Sequence, residues 1–345
     1  MKKNIAFLLV LILIFSIITV IIINCTNINS KQSEKIEIIA TLFPQYDFAK
    51  QIGGDKVNVT LLLPPGSESH TYEPTPQDMI NINNSSLFIY TGKEMEPWAE
   101  NLIDGMKNDI RVLDLSTTVN LIDIEKFEEN YCSGEDCKYS HEHQTEVEVE
   151  DELEHEHEHE HEQENEEHNH SYDPHIWLNP QYAIQMVNSI LEQLCEIDPE
   201  NKEYYQRNAT EYIKQIQALD TEFKGIVNSA QNKKIAFGGA FAYAYFIEKY
   251  NLEFISAYQT CGENAEPSTT QVKEVIDYIN ENKIPVIFYK EYTTGNIAKT
   301  ISESTNVEML VFHTVHNVSK EELQNGASYV SVMRQNLDYL KVALK

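Results

Sequence analysis

Runs of β-branched and other apolar residues alternate along the chain with segments in which apolar residues recur every three or four positions. The runs predict buried strands, and the recurring positions predict helices that bury one face. In the first half, strands are predicted at residues 36–41, 57–63, 87–90 and 111–115. Helices are predicted at 46–53, from a Thr75 cap onward, and at 98–106. This alternation predicts a parallel sheet flanked by helices.

The second half repeats the alternation. Strands are predicted at 234–237, 252–258, 286–289 and 307–312, and helices at 240–250, from 266–268 to 282, at 297–304 and at 329–344. Between the halves, helical spacing predicts a helix at 181–196. A second helix is predicted from a cap at Asp198 to Val227, with roughly seven turns and a length of about 40 Å.

We therefore predict an α/β protein of two similar lobes, each a parallel sheet flanked by helices. One long rigid helix would join the lobes, and the ligand cleft would lie between them. The predicted boundaries are 36–178 for the N-terminal lobe, 179–231 for a helix and the connecting spine helix, and 232–345 for the C-terminal lobe.

A change of composition interrupts the N-terminal lobe. Residues from about 123 to 171 are mostly Glu, His, Asp and Gln, with no apolar face. We predict a disordered insertion. Its histidines are expected to collect metal with low affinity, and a solvated acidic linker with incidental histidines is the alternative. The histidines concerned are His155, His157, His159, His161, His168 and His170.

The N-terminus has the features of a secretory signal. Two lysines precede an apolar run over residues 5–23, which predicts a signal peptide over 1–24. The junction before Cys25 resembles a bacterial lipoprotein processing site, so we expect a lipid on Cys25 and a lipid-anchored tether over 25–35. An uncleaved anchor is the alternative, because about 19 apolar residues nearly span a bilayer. Both interpretations place the lobes outside the cytoplasmic membrane.

The net charge restricts the classes of partner. The 345 residues carry a formal charge of −29, which argues against nucleic acid and is compatible with cations as ligands. Residues 141–170 hold 14 acidic side chains and no lysine or arginine, so the remainder carries −15. The lobes themselves are therefore acidic.

The cysteines suit an oxidising compartment. With Cys25 lipidated, the other four form an even set. Cys132 and Cys137 enclose a four-residue loop, and we predict a disulfide between them. Free thiols or a second metal clip with nearby histidines are the alternatives. The pattern leaves open whether Cys195 pairs with Cys261.

Several possible metal ligands lie where predicted strands end. His70 follows the second strand, and His175 precedes a capped helix. In the C-terminal lobe, Glu291 follows one strand, and His313 and His316 follow the last. A single histidine is more often a surface or capping residue, but four at strand ends predict a metal site. Imidazole suits Zn²⁺, which takes three or four such ligands in tetrahedral geometry.

The sequence lacks several common catalytic motifs. The chain contains no Gly-x-Ser-x-Gly, no His-Glu-x-x-His and no phosphate-binding glycine-rich loop. Cys261 could act as a nucleophile, but a disulfide or structural role fits it better. A zinc hydrolase would need a general base, for which Glu291 is the candidate. We predict that the protein is not an enzyme.

Three segments together define a pattern: 63–78, which contains Leu-Pro-Pro-Gly and His-Thr-Tyr-Glu-Pro-Thr-Pro-Gln-Asp; 173–180, Asp-Pro-His-Ile-Trp-Leu-Asn-Pro; and 329–344. They resemble the zinc/manganese solute-binding lipoproteins of bacterial ABC importers. The resemblance covers nearly all of 36–345, and an acidic His-rich insertion is a feature of the zinc-preferring members.

The resemblance implies a function. It implies high-affinity extracytoplasmic capture of Zn²⁺ and delivery to an ABC-type membrane permease with its cytoplasmic ATPase. It also implies a monomer at the outer face of the cell membrane, held there by its lipid anchor. Mn²⁺ or another divalent metal is the alternative within this class. A surface metal buffer or adhesin, in which the His-rich tract binds the metal, is the alternative from another class.

The resemblance also implies ligands, with two departures. His70 and His175 match family ligand positions. The third family ligand is a His at a position that Gly238 occupies in this chain, and the fourth is an Asp or Glu near residues 312–316. Our hypothesis is that His313, with His316 as a further candidate, replaces the lost ligand. Glu291 or Cys261 could complete the shell, and more imidazole would favour Zn²⁺ over Mn²⁺.

Overall fold

Two parallel four-stranded sheets organise the part of the chain that the computed structural model describes, residues 35–106, 110–131, 172–258 and 267–345. The strand orders are β2-β1-β3-β4 and β6-β5-β7-β8, so the second sheet repeats the order of the first. The strands are β1 (Ile36–Ala40), β2 (Val57–Leu61), β3 (Leu87–Tyr90), β4 (Arg111–Asp114), β5 (Lys234–Phe237), β6 (Glu253–Ser256), β7 (Val286–Tyr289) and β8 (Glu308–Val311). All eight predicted strands are present, and the predicted fold class is confirmed.

The central strands are buried on both faces. Ile38 pairs with Leu87 in the first sheet, and Ala236 pairs with Ile287 in the second. All four residues are fully buried, as expected for parallel strands covered by helices. Each sheet therefore has its own core and presents the carboxyl ends of its strands at one edge.

Eleven α-helices lie in the described part of the chain, the shortest of five residues. They are α1 (Phe43–Gly53), α2 (Pro76–Asn83), α3 (Pro97–Asp104), α4 (Ile124–Tyr131), α5 (Pro180–Ile197), α6 (Lys202–Ser229), α7 (Ala244–Tyr250), α8 (Thr269–Asn282), α9 (Asn296–Thr305), α10 (Lys320–Gln324) and α11 (Tyr329–Ala343). Thr75 caps α2 as predicted, because its side chain accepts from the Asp78 amide while Asp78 accepts from the Thr75 amide.

Several predicted boundaries were wrong. The helix predicted at 240–250 begins only at Ala244, and two further errors have identifiable reasons. The first helix was predicted to begin at residue 46, but α1 begins at Phe43, because Pro44 lies in the first turn where its missing N–H is not needed. Disorder was predicted from about residue 123, but 124–131 form α4. The buried Phe127 ring stacks on Phe241 of the C-terminal lobe, at 6.1 Å between centroids, which anchors this helix.

The long helix α6 has 28 residues, about 42 Å at 1.5 Å per residue. One buried carboxylate connects it to both lobes. Asp47 on α1 accepts from the Tyr212 hydroxyl of α6 at 2.5 Å and from the Tyr329 amide of α11 at 2.8 Å. The predicted spine is thus bonded to the N-terminal lobe and to the last helix of the C-terminal lobe.

Several predictions fall outside the described residues. They concern the signal peptide, the tether, the His/Glu-rich tract, Cys25, Cys132, Cys137 and Cys261. Among the residues that are described, no helix has both the length and the apolar character needed to cross a membrane.

Candidate metal site

His175 is held by a carboxylate two residues earlier in the chain. Asp173 Oδ1 accepts from the His175 amide at 2.7 Å and lies 3.1 Å from its Nδ1. An ionised carboxylate can only accept, so the proton of the neutral ring is on Nδ1 and the lone pair is on Nε2. This is how protein carboxylates orient metal-binding histidines. The Tyr245 hydroxyl, from α7, donates to the Asp173 carbonyl at 2.9 Å and fixes the loop.

His70 lies beside His175, with 5.7 Å between the ring centroids. Its loop is ordered by Glu68, whose Oε1 accepts from the Ser69 amide at 3.0 Å. Burial holds the pKa of His70 well below its ordinary value. The charge of His175 is the second cause and acts in the same direction, whereas Glu68 opposes both. His70 is therefore neutral at pH 7, which is the form that binds metal.

In the C-terminal lobe, a hydroxyl connects His316 to Glu291. The Thr314 hydroxyl donates to Glu291 Oε1 at 2.5 Å and is also hydrogen-bonded to His316 Nδ1. Because that hydroxyl has one proton and gives it to the carboxylate, it accepts from Nδ1–H of His316. The lone pair of His316 is then on Nε2, which is buried and has no hydrogen-bond partner among the described residues.

Glu291 is fully engaged as an acceptor. Its other oxygen, Oε2, accepts from the Thr314 amide at 2.9 Å, and Oε1 also lies 3.2 Å from His316 Nδ1. Burial alone would raise the pKa of Glu291. His313, His316 and the Thr314 hydrogen bond outweigh burial and hold that pKa well below its usual range. Glu291 is therefore an ionised carboxylate that orients His316.

His313 is oriented differently from His316. Its Nδ1 accepts from the Val315 amide at 2.8 Å, so the proton of the neutral ring is on Nε2. A ring in this tautomer does not offer Nε2 to a metal. Burial lowers the pKa of His313, which keeps the ring neutral. Val315 has φ +65°, an uncommon conformation for a β-branched residue, and such strain is typical of functional loops.

Two side-chain contacts connect the lobes beside the candidate ligands. The Trp177 ring packs against His175 in a T-shaped arrangement, at 5.6 Å between centroids, and its indole N–H donates to the Thr314 carbonyl at 2.7 Å. The buried Lys290 ammonium donates to Glu68 Oε2 at 3.0 Å. Although burial opposes it, this ammonium lowers the pKa of Glu68 to about 2. One indole and one ion pair thus connect the two halves of the site.

The residues predicted to bind metal fall into two groups. His70 and His175 lie together in the N-terminal lobe, and Glu291, His313 and His316 lie together in the C-terminal lobe. Within the described ranges, no three His, Cys, Asp or Glu side chains already surround one point closely enough to hold an ion. Binding one ion through both groups would therefore require these side chains to come closer together.

Gly238 has no room for a side chain. It follows β5, and a Cβ there would lie 2.6 Å from Ala298 Cα of α9. Since this neighbour is backbone, it cannot move aside cheaply. The structure is therefore consistent with the loss of the family histidine at this position, and Cys261 lies outside the described residues.

Sequence reasoning missed several contributors to the site, among them Asp173, Thr314 and Trp177. Asp173 was recognised as part of a motif but given no role, and an Asp two residues before a His is the signal that could have identified it. The connections made by Thr314 and Trp177 depend on the fold. No sequence spacing would have identified those two contacts.

Fold and site together define the class: a two-lobed solute receptor with imidazole and carboxylate side chains facing a cleft at the carboxyl ends of two parallel sheets. Residues 38–343 match the family model described as zinc-uptake complex component A, periplasmic. The chain therefore belongs to the ZnuA family. This confirms the resemblance first drawn from the 63–78 and 173–180 motifs.

Relatives of known name agree with this assignment. The chain is 30% identical to the high-affinity zinc uptake system protein ZnuA of Bacillus subtilis, over 93% of this chain and 92% of that protein. It is also 30% identical to the zinc-binding lipoprotein AdcA of Streptococcus pneumoniae, over 96% of this chain but only 60% of that longer protein.

Solved structures show the same fold. The metal-dependent lipoprotein YcdH of Bacillus subtilis aligns with a TM-score of 0.71 at 29% identity, over 90% of this chain and 99% of that one. The Zn(II)-bound ZnuA-like domain of Streptococcus pneumoniae AdcA aligns with a TM-score of 0.68 at 27% identity, over 90% and 99%. These similarities extend over both lobes.

Proposed function

We propose that this protein captures Zn²⁺ outside the cytoplasmic membrane and delivers it to an ABC-type permease. The ion is transported cargo, and no chemistry is done on it. The observation that supports this most is the state of His316. Its Nε2 is buried without a hydrogen-bond partner among the described residues, while its Nδ1 proton is fixed by Thr314 and Glu291.

His70, His175 and His316 form the proposed ligand set. His175 and His316 each have a carboxylate-controlled Nδ1 proton, which leaves Nε2 for the metal. Three imidazoles supply three of the four positions of tetrahedral Zn²⁺. Glu291 orients His316. His313 stabilises the loop by accepting a hydrogen bond from the Val315 amide. This revises the order of the sequence hypothesis, which placed His313 before His316.

The donor set favours zinc over the alternatives. Mn²⁺ prefers carboxylate and carbonyl oxygen, whereas imidazole suits zinc. A zinc hydrolase would need a free general base, but both oxygens of Glu291 accept hydrogen bonds from Thr314. Binding without catalysis is therefore the function that this geometry supports.

The proposal includes location and partners. Family membership and lipoprotein relatives support a site of action outside the cytoplasm. We propose that a lipid on Cys25 anchors a monomer beside the permease and its ATPase. The His-rich tract would serve as a low-affinity collector. Globomycin treatment of producing cells, followed by mass spectrometry, tests the anchor, because an unlipidated Cys25 would remove it from the proposal.

A metal titration of the purified protein tests the function. The full chain and a variant lacking residues 141–170 would be stripped of metal and titrated with Zn²⁺ and Mn²⁺ against a chromophoric chelator. We expect one tight zinc site in both proteins, weak competition by Mn²⁺, and loss of the site in His175→Ala. If tight binding disappears with residues 141–170, the tract rather than the cleft binds the ion.

A further inference from the structure

The segment Thr314–Val318, called the C-lobe ligand loop below, is bonded to the opposite lobe. Five hydrogen bonds make this connection, and both backbone and side-chain groups contribute. They are Phe43 N to His316 O (3.0 Å), Gly66 N to Val318 O (3.0 Å), Trp177 Nε1 to Thr314 O (2.7 Å), Asn317 Nδ2 to Pro64 O (2.8 Å) and Asn317 Nδ2 to Ser67 O (2.9 Å). The loop thus bears a ligand of one lobe while it is docked on the other.

Asn317 is the residue of this loop whose side chain reaches across the cleft. It is fully buried, and its amide nitrogen uses both protons on the carbonyls of Pro64 and Ser67. Its Oδ1 accepts from the Val318 amide at 2.8 Å. The two carbonyls belong to the segment that leads into His70. A single side chain therefore connects the loop of His316 to the loop of His70.

We propose that Asn317 is a positioning residue that fixes the backbone of the C-lobe ligand loop against the His70 loop before zinc arrives. This inference rests on the proposed function, because it concerns how that site is assembled. With both loops fixed, the imidazoles converge on the ion by turning about their side-chain bonds. Zinc binding then does not require the lobes to close at this point.

The physical reason lies in the cost of separating the loops. Moving them apart would leave the carbonyls of Pro64 and Ser67 without their donor, and a buried carbonyl without a partner is costly. The ion pair of Lys290 with Glu68 resists the same movement. Fixing the ligand backbones in advance lowers the entropy that binding must overcome.

Two variants and one control test the role of Asn317. Asn317→Ala removes the amide, and Asn317→Leu removes it while keeping the volume, in case a cavity alone prevents folding. Asn208→Ala is the matched control, because Asn208 Nδ2 also donates to a carbonyl of a distant element, Ile52 O at 3.0 Å, away from the cleft. We expect zinc affinity to fall about tenfold in both Asn317 variants, corresponding to about 1.4 kcal/mol, and to stay unchanged in the control.

Hydrogen exchange without zinc provides the second measurement. The amides of Phe43 and Gly66 donate across the cleft, whereas the Leu62 amide donates within the N-terminal lobe, to Ala40 O at 2.8 Å. We expect Phe43 and Gly66 to be protected in the wild type and to exchange faster in Asn317→Ala, with Leu62 unchanged.

Each outcome has a defined meaning. Equal zinc affinity of Asn317→Ala and wild type would overturn the proposal, as would parallel acceleration of all three amides, which indicates general destabilisation. Unprotected Phe43 and Gly66 amides in the zinc-free wild type would also overturn it. Failure of the wild type to bind zinc at all would instead refute the proposed function.

Discussion

The two half-sites hold a histidine by the same chemistry but assemble it in different ways. In the N-terminal lobe, His175 is bonded to Asp173 within one short loop. In the C-terminal lobe, His316 is held through Thr314 by Glu291, which follows a different strand of the sheet. The first unit needs only local loop geometry. The second exists only when β7 and β8 are paired, so we expect it to be more sensitive to changes in the fold.

The two lobes also differ in the pKa of a buried glutamate, Glu96 in one and Glu291 in the other. Glu96 in the N-terminal lobe accepts from the Thr91 and Gly92 amides, each at 3.1 Å, but no histidine is among its hydrogen-bond partners in the described structure. Burial raises its pKa to about 8. Glu291 is equally buried, but its imidazole neighbours hold its pKa low. At Glu96 burial thus outweighs the hydrogen bonds, whereas at Glu291 the interactions with His313, His316 and Thr314 outweigh burial.

The largest expected effect separates His316 from His313. Replacing a metal ligand should lower zinc affinity more than replacing a residue that only supports a ligand. Replacing a supporting residue usually lowers metal affinity by about 10–100-fold. We therefore expect His316→Ala to lower zinc affinity by more than about 100-fold. His313→Ala should lower it by about tenfold or less, because its Nδ1 is already engaged by Val315. Chelator competition measures both, and a larger loss in His313→Ala would reverse the assignment.

The next effect concerns the two orienting carboxylates. Asp173→Asn and Glu291→Gln keep the size of each side chain and remove its charge. Each should weaken zinc binding by about 10–100-fold, because the Nδ1 proton of the bound histidine loses its anionic acceptor. We expect the greater loss in Glu291→Gln, since its carboxylate accepts from both groups of Thr314. No loss in either variant, in the same competition assay, would contradict the orienting role.

A third variant tests the lost family ligand. Restoring a histidine by Gly238→His should not improve zinc binding, because its Cβ would lie 2.6 Å from Ala298 Cα. Overpacking of this kind costs about 1–3 kcal/mol of unfolding free energy. Gly239→His is the matched control, since a Cβ there meets its nearest atom, Lys290 N, at an ordinary 3.7 Å. Denaturant unfolding and zinc titration of both variants check this. A Gly238→His variant that binds zinc more tightly than the wild type would contradict it.

The smallest effect on zinc is expected at Glu96, which should influence stability alone. Its folded pKa of about 8 exceeds its ordinary value of 4.5, so the native state retains a proton that the unfolded chain releases. Protonated Glu96 therefore contributes to the free energy of unfolding. This contribution is complete below pH 4.5 and is lost as the pH rises through 8, by up to about 1.4 kcal/mol per pH unit. Glu96→Gln should remove that slope in pH-dependent unfolding and leave zinc affinity unchanged. An unchanged slope would show that Glu96 is ionised in the native state.

The sequence predicted the fold well because each lobe's elements have strong local signals. The strands 234–237 and 286–289 were located to the residue, since buried parallel strands are continuous apolar runs. The helix α4 was missed because its order depends on Phe127 contacting a residue more than a hundred positions away. Periodicity within a short polar segment does not contain that information.

For the candidate site, the sequence predicted residue types and regions, and these remain predictions. Position at strand ends identified His70, His175, Glu291, His313 and His316 as candidates. Their ranking was not predictable, because it depends on which ring nitrogen holds the proton. That choice is made by Glu291 and Val315 through contacts that only the folded loop creates.

A crystal structure of the zinc-loaded protein, with anomalous scattering at the zinc edge, would identify the ligands of the ion directly. We expect zinc bound by Nε2 of His70, His175 and His316, with Glu291 still bonded to Thr314 and His313 outside the coordination sphere. A zinc ion bound by a Glu291 oxygen, or by His313 in place of His316, would contradict the proposed ligand set.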